Sequence, residues 1–319
     1  MPAVSSGVRG AVITGWGTAL PPKTLTNQDL ADMGLDTNDE WIVERTGIRE
    51  RHVGGTTAGL SAEAGRQALG MSGLDPTTID AVILATTTPD RTVPATSATV
   101  ANELGLRCGA FDLNAACSGF TYAMVVAHGL IATGAERLLV IGTDTLARIT
   151  DWEDRNTAIL FADGAGAVVV EAVDGRGELL SWDIDADGSA ERYLYAEIGG
   201  FMKMEGKEVF RRAVRIMVDS AQKTMAAAGV EADDIALVVP HQANVRIIEA
   251  ACSRLGVPMD RAAMVLDRTG NTSSASIPLA LVDAIEHERV EQGDLVLLVG
   301  FGAGMTAASA LIRWGGDSV

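Results

Sequence analysis

Apolar residues in this chain fall into two patterns. Short aliphatic or β-branched runs, apolar at successive positions, alternate with helix-length stretches in which apolar residues recur at helical spacing. The first pattern suits strands buried on both faces and the second suits crossover helices that cover them. Strands are expected at Val12 to Thr14, Ala81 to Ala85, Ala110 to Leu113, Arg137 to Ile141 and Ala167 to Val170. A second set follows Gly175, at Ile235 to Val239, Met264 to Leu266, Leu295 to Val299 and Ala308 to Ile312. A helix from about Lys207 to Ala228 places Phe210, Val214, Met217, Val218, Ala221 and Met225 on one apolar stripe, with Arg211, Arg212 and Arg215 crowding another face. Like charges one turn apart disfavour the isolated helix, so this face serves an acidic partner or is neutralised by nearby carboxylates.

The two sets repeat one another. Gly73-Leu74-Asp75-Pro76-Thr77-Thr78-Ile79-Asp80-Ala81-Val82 and Gly229-Val230-Glu231-Ala232-Asp233-Asp234-Ile235-Ala236-Leu237-Val238 each leave a helix through Gly and reach Ile after the same step. Each following helical stretch closes on Leu-Gly (Leu104-Gly105, Leu255-Gly256). Each half then has an aliphatic strand running into Gly (Gly142, Gly300) and a Gly-Ala-Gly turn (Gly164 to Gly166, Gly302 to Gly304). Markers in the same order indicate duplication, with halves expected at 1–174 and 175–319. A length of 319 residues accommodates that, at ~100–200 residues per domain.

Charge narrows the partners. Acidic residues outnumber Lys plus Arg by 42 to 25, a formal charge of −17, which would repel a phosphate backbone, so no nucleic acid is expected. Three cysteines without Cys-x-x-Cys spacing fit reduced thiols better than a disulfide framework or a zinc site, so no metal is expected. The N-terminal Met1-Pro2-Ala3-Val4-Ser5-Ser6-Gly7 lacks a basic segment followed by an apolar one. No apolar run approaches the ~20 residues that span a bilayer, so no membrane association and a cytoplasmic location are expected.

The candidate chemistry lies at strand ends. Cys117 follows an expected strand and opens the apolar stretch Phe120 to Ile131, so its sulfur should meet a helix N-terminus, where thiolate is favoured over thiol. Small neighbours (Ala115, Ala116, Ser118, Gly119) leave room for a sharp turn whose amide binds an oxyanion. His241 ends a strand after Pro240, and Asn271 stands in Gly270-Asn271-Thr272-Ser273-Ser274 before a helix begun near Pro278. Ligands in open α/β sheets bind at such strand ends. In a thiol hydrolase His would deprotonate Cys while Asn orients the ring. In a decarboxylating condensation neutral His and Asn would both donate to a thioester oxygen. Chain order separates neither. Gly300-Phe301-Gly302-Ala303-Gly304 could present another backbone N–H, whereas Pro21-Pro22 after Gly15-Trp16-Gly17 blocks a dinucleotide-binding helix. His52, His128 and His287 lack companions suited to metal binding.

The segments Asn114-Ala115-Ala116-Cys117-Ser118-Gly119-Phe120, Pro240-His241-Gln242-Ala243-Asn244 and Gly270 to Pro278 resemble β-ketoacyl-acyl carrier protein synthase III. Thr37 to Ile48 and Phe161-Ala162-Asp163-Gly164-Ala165-Gly166-Ala167 are similar to that family as well, so the resemblance runs from about Val12 to Arg313. It implies an α/β, thiolase-like fold: two duplicated βαβαβ halves in a five-layered α-β-α-β-α arrangement, as a homodimer. It also implies transfer of a short acyl group from acyl-coenzyme A (acyl-CoA) to Cys117. Decarboxylative condensation with malonyl-acyl carrier protein would follow, with His241 and Asn271 assisting and no cofactor beyond the substrates. A priming ketosynthase or acyltransferase of specialised metabolism is the alternative.

Carried over residue by residue, the resemblance puts Trp41 and Arg155 around the CoA adenine, Arg45 and Thr46 toward its phosphates, and Asn244 toward the pantetheine arm. The oxyanion hole would be the N–H groups of Cys117 and Ala303, and Arg246 with Arg211 would face the carrier protein. Val93, Phe161 and Met204 would bound the acyl pocket, Val93 closing that of the partner subunit. Two departures stand out. Ala303 replaces a common Gly and is tolerated only where the backbone does not demand Gly. Val93 replaces what is often an aromatic residue, so branched or longer primers are expected.

Overall fold

The computed structural model describes residues 9–316; Met1 to Gly7, discussed above, lie outside them. The first sheet contains β1 (Gly10–Ala19), β2 (Ala81–Ala85), β3 (Gly109–Leu113), β4 (Arg137–Thr145) and β5 (Asp163–Val173), in the order β1-β5-β4-β2-β3. Strand β2 runs parallel to β3 and β4, while β5 is antiparallel to β4 and β1. The second sheet contains β6 (Leu179–Asp185), β7 (Ile235–Pro240), β8 (Leu295–Gly302) and β9 (Thr306–Arg313), in the order β7-β8-β9-β6. Here β7 and β8 are parallel and β9 is antiparallel to β8 and β6. Read from its other edge, β6-β9-β8-β7 repeats β1-β5-β4-β2 in order and direction.

The expected strand from Met264 to Leu266 does not form, and Leu266 instead begins a short helix, Leu266–Thr269. What remains of a fifth strand is one parallel bridge, Val238 to Ala262, with the Ala263 N–H donating to the Val238 carbonyl at 2.9 Å. A side chain then supplies what a sheet neighbour would have. The buried Gln242 accepts through Oε1 from the N–H groups of Val265 (3.0 Å) and Leu266 (3.2 Å) and donates through Nε2 to Pro240 and Ala263 carbonyls. Buried backbone polar groups need partners of some kind, and a glutamine offers both donor and acceptor.

The longer helices are α1 (Asp39–Thr46), α2 (Thr57–Ser72), α3 (Thr96–Glu103), α4 (Gly119–Ala132), α5 (Gly206–Ala228), α6 (Val245–Leu255) and α7 (Ser276–Glu286). Alternating strand residues explain the layers. In β2, Val82 and Leu84 pack against Leu69 of α2 and Val100 of α3. Ile83 and Ala85 face the other way, onto Phe120, Met124 and Ile131 of α4. In β8, Val296 and Leu298 meet α7 through Ile277 and Leu281, while Leu297 and Val299 meet Val214 and Met217 of α5 and Ile247 of α6. The result is α-β-α-β-α. Covered on both faces, these strands read as unbroken apolar runs. Burial of each such side chain contributes ~1.5–3 kcal/mol. Among the described residues, no helix is long and apolar enough to cross a membrane.

One seam between the sheets is polar. Glu178, fully buried just before β6, accepts from the N–H of Ile13 on β1 (3.1 Å) and that of Gly315 after β9 (3.0 Å). Burial pushes its carboxyl up to about 8, the two backbone hydrogen bonds working the other way. Between its ordinary value and about 8 the folded chain therefore holds more protons at this site than the unfolded chain, so stability falls as pH rises through that range. We expect denaturation midpoints to drop between pH 6.5 and 8.5, a range in which carboxylates with ordinary pKa values no longer titrate. Glu178→Gln should flatten that slope, as measured by urea unfolding across the pH series.

Candidate active site

Cys117 occupies a single turn, Ala116–Ser118, between β3 and α4. The turn is held in a form that few residues adopt: Ala116 has φ 50°, a left-handed backbone usually left to glycine. Its N–H donates to Asn114 Oδ1 at 3.1 Å. The second half also grips the turn. Thr306 Oγ1 donates to the Ala115 carbonyl at 2.9 Å, and a Cβ on Gly302 would stand 2.6 Å from the Cys117 nitrogen. Glycine at 302 is thus required by close approach. The adjoining Ala303 is not among the positive-φ residues; that strain falls on Gly304 (φ 70°) and Met305 (φ 44°). The Cβ at 303 is accordingly accommodated.

The other two candidates come from the second half. His241 follows β7, is almost fully buried, and packs edge-on to Phe301 with ring centroids 5.4 Å apart. Its Nδ1 lies 2.7 Å from Ser276 Oγ at the start of α7. Asn271 is fastened across the halves, pairing with Phe161 through the Ala162 N–H to the Asn271 carbonyl and the Asn271 N–H to the Leu160 carbonyl, both at 2.9 Å. Its Oδ1 accepts the Ser273 N–H at 3.0 Å, which turns the donor end of the amide away from that contact. Burial pushes His241 down to about 3, so the ring is neutral at physiological pH.

Cys117 departs from the expectation of a favoured thiolate. Burial pushes the thiol up to about 12; a hydrogen bond from the Ser273 side chain opposes this, and the charge of Asp144 adds to it. The helix begins at Gly119, as the sequence predicted, but desolvation is the largest influence on the half-buried thiol.

Residues outside the predicted set organise the site. Asp144, fully buried at the end of β4, accepts through Oδ1 from Thr86, Thr87 and Thr88 and through Oδ2 from the Ser274 N–H (3.0 Å) and hydroxyl (2.7 Å). It thereby pins the loop after β2 to the Asn271 loop. A carboxylate near the end of an otherwise apolar strand was the signal available in the sequence. Ser273, with φ 52°, and Ser276 carried no signal beyond their place in the Asn271 motif.

A cavity of about 900 Å³ joins these groups. Cys117, His241, Asn271 and Ala303 line it, as do Trp41, Arg45, Thr46, Phe161, Met204, Asn244 and Arg246. Arg155 stands just outside, its guanidinium 4.7 Å from the Trp41 ring centroid, with Arg45 at 4.4 Å from the same ring. Asn244 caps α6 by accepting the Arg246 N–H (2.9 Å) and donates to the Arg45 carbonyl (2.8 Å), so both ends of its amide are engaged. The Thr46 hydroxyl likewise bonds within its own helix, to the Ile42 carbonyl. Arg211 lies on the exposed face of α5, paired with Glu208, and Arg212 and Arg215 also find carboxylates on that helix. Val93 does not line the cavity and is 79% exposed.

A Cys, a neutral His and an Asn, gathered on one cavity where two α/β halves of like topology meet, fit a condensing acyltransferase of the thiolase fold. Family models described as 3-oxoacyl-[acyl-carrier-protein] synthase III and its C-terminal region match residues 111–188 and 225–314. A relative from Roseiflexus castenholzii named β-ketoacyl-[acyl-carrier-protein] synthase III is 50% identical, covering 95% of this chain and 98% of its own. One of that name from Erythrobacter litoralis is 48% identical over 95% and 99%. The crystal structure of 3-oxoacyl-[acyl-carrier-protein] synthase III from Aquifex aeolicus superposes with TM-score 0.94 at 42% identity, covering 96% of this chain and all of that one. The priming β-ketosynthase of the R1128 polyketide pathway superposes with TM-score 0.92 at 34% identity, over 98% and 99%. The chain belongs to the β-ketoacyl-[acyl-carrier-protein] synthase III family.

Two opposed effects at Cys117 can be separated by alkylation. The rate of iodoacetamide labelling at Cys117, followed by peptide mass spectrometry, should climb with pH through 10 without a plateau. A plateau below pH 8 would show that the helix terminus and Ser273 outweigh burial.

Proposed function

We propose that this enzyme primes acyl-chain synthesis by decarboxylative condensation. Cys117 takes an acyl group from acyl-CoA, its proton leaving with the CoA thiolate, while the N–H groups of Cys117 and Ala303 hold the oxyanion. Malonyl-acyl carrier protein then loses carbon dioxide. His241 and Asn271 donate to the thioester oxygen of the resulting enolate, whose carbon attacks the Cys117 thioester. Collapse expels the Cys117 sulfur and leaves β-ketoacyl-acyl carrier protein. One well-placed donor is worth ~3 kcal/mol of barrier.

The observation that carries this reading is the partnering of His241 and Asn271. In a thiol hydrolase the Asn would orient the His; here Nδ1 of His241 meets Ser276 and Oδ1 of Asn271 meets the Ser273 N–H. Two neutral groups with donor ends remaining suit an enolate better than they suit the activation of water. The similarity to the R1128 priming β-ketosynthase supports a second reading, in which the carrier protein belongs to polyketide synthesis.

We assign the nucleophile to a half spanning 1–174 and its two donors to a half spanning 175–319, in agreement with the division of the sheets. Trp41 and Arg155 are proposed for the adenine, Arg45 and Thr46 for the phosphates, Asn244 for the pantetheine arm, and Arg246 and Arg211 for the carrier protein. Phe161 and Met204 would bound the acyl group. A homodimer is supported by the edge strand β3, which pairs only with β2 among the described residues and exposes Phe111. Val93, which does not line its own cavity, would then close that of the partner subunit. Three free thiols support a reducing, cytoplasmic setting.

Cys117→Ala should abolish acyl loading, whereas His241→Ala and Asn271→Ala should retain part of it and lose condensation, as followed by intact-protein mass spectrometry with acyl-CoA and then malonyl-carrier protein. A His241→Ala enzyme that condenses normally would contradict the mechanism. On primer choice, isobutyryl-CoA should be preferred to acetyl-CoA in competition, and Val93→Phe should reverse that preference.

A further inference from the structure

Histidine can donate to an enolate from its cavity-facing nitrogen only in one neutral tautomer, and nothing in the imidazole itself compels that choice. The decision rests on what Nδ1 meets. Ser276, fully buried at the first position of α7, places Oγ 2.7 Å from His241 Nδ1. The same oxygen lies 3.3 Å from the backbone nitrogen of Gln242, whose N–H can only donate to it. Among the described residues Oγ has no further hydrogen-bond partner.

Two arrangements of protons fit these heavy atoms. If Nδ1 carried the proton, Ser276 Oγ would accept from both His241 and Gln242, and its own O–H would be left buried and unsatisfied, at a cost of ~1–3 kcal/mol. If Ser276 donates to Nδ1, every group in the chain Gln242 N–H to Ser276 Oγ to His241 Nδ1 is satisfied. We infer that Ser276 is a positioning residue that fixes His241 as the tautomer protonated at Nε2, ready to donate into the cavity. Its register makes this possible: α7 begins one turn beyond Asn271, so a single loop carries one enolate donor and the residue that sets the other. Gln242 secures the same corner from behind, its side chain holding the Val265 and Leu266 amides.

This inference rests on the condensation reading, and the test separates the two. In the full-length enzyme labelled with imidazole nitrogen-15, the His241 resonances, identified by their loss in His241→Asn, should report the Nε2-protonated tautomer alone. In Ser276→Ala they should move toward a mixture, and condensation should fall about tenfold while acyl loading of Cys117 is unchanged. Ser276→Thr, which restores the hydroxyl, should recover both the spectrum and the rate. A wild-type ring protonated at Nδ1, or a tautomer ratio unmoved by Ser276→Ala, would overturn the assignment. If the tautomer shifts as expected while condensation is unaffected, the assignment of Ser276 stands and the role given to His241 in the reaction falls.

Discussion

A buried carboxylate without a cation beside it needs its oxygens filled by hydrogen bonds, and Asp144 meets that demand by drawing two parts of the chain together. Three successive threonines after β2 turn toward one oxygen and Ser274 turns toward the other. Ser274 belongs to the loop that carries Asn271 and leads into α7, where Ser276 meets His241. The geometry of His241 and Asn271 is thus tied to the end of a strand in the opposite half. The same carboxylate adds, behind burial, to the upward shift of the Cys117 thiol.

Close backbone approach is the complement of that polar anchor. A Cβ at Gly142 would stand 2.3 Å from the Ser274 carbonyl, as one at Gly302 would crowd the Cys117 nitrogen. Such contacts leave little freedom for the halves to slide over one another, because packed interiors give by rearranging and not by gradual compression. Strain at Ala116, Ser273 and Met305, all with positive φ, gathers at this junction. Backbone strain is commonly held at sites that require a fixed geometry, and here it lies in the Cys117 turn and in segments that pack against it.

Much of the frame was legible because its strands are buried on both faces. Runs such as Val82-Ile83-Leu84 supply both flanking layers at once, so composition alone marked them, and the repeated Gly and Leu-Gly punctuation marked the duplication. The failure at Met264 to Leu266 has the same root. Apolar residues there are buried, but Gln242, on a different segment, supplies the hydrogen bonds that would have identified a strand, and no local pattern reveals a side chain substituting for a ladder. Cys117 and His241 were legible because each follows a strand end, whereas Asn271, whose expected strand at Met264 to Leu266 does not form, was marked by its Gly270-Asn271-Thr272-Ser273-Ser274 motif before a helix. Ser273 and Ser276 were not legible, and Asp144 was marked only as a carboxylate near a strand end, since a threonine- or serine-rich stretch reads the same whether its hydroxyls meet water or one another.

What the sequence determined by itself is therefore the alternation, the duplication, the family and the three chemical groups, all of which depend on residue type and near neighbours. The tertiary structure decided the partners of those groups, His241 meeting Ser276 and Asn271 meeting Ser273. It also raised the Cys117 thiol, whose position before a helix was predictable from local sequence but whose burial was not. Burial is a property of the whole chain, and so is the choice of partner for a buried donor.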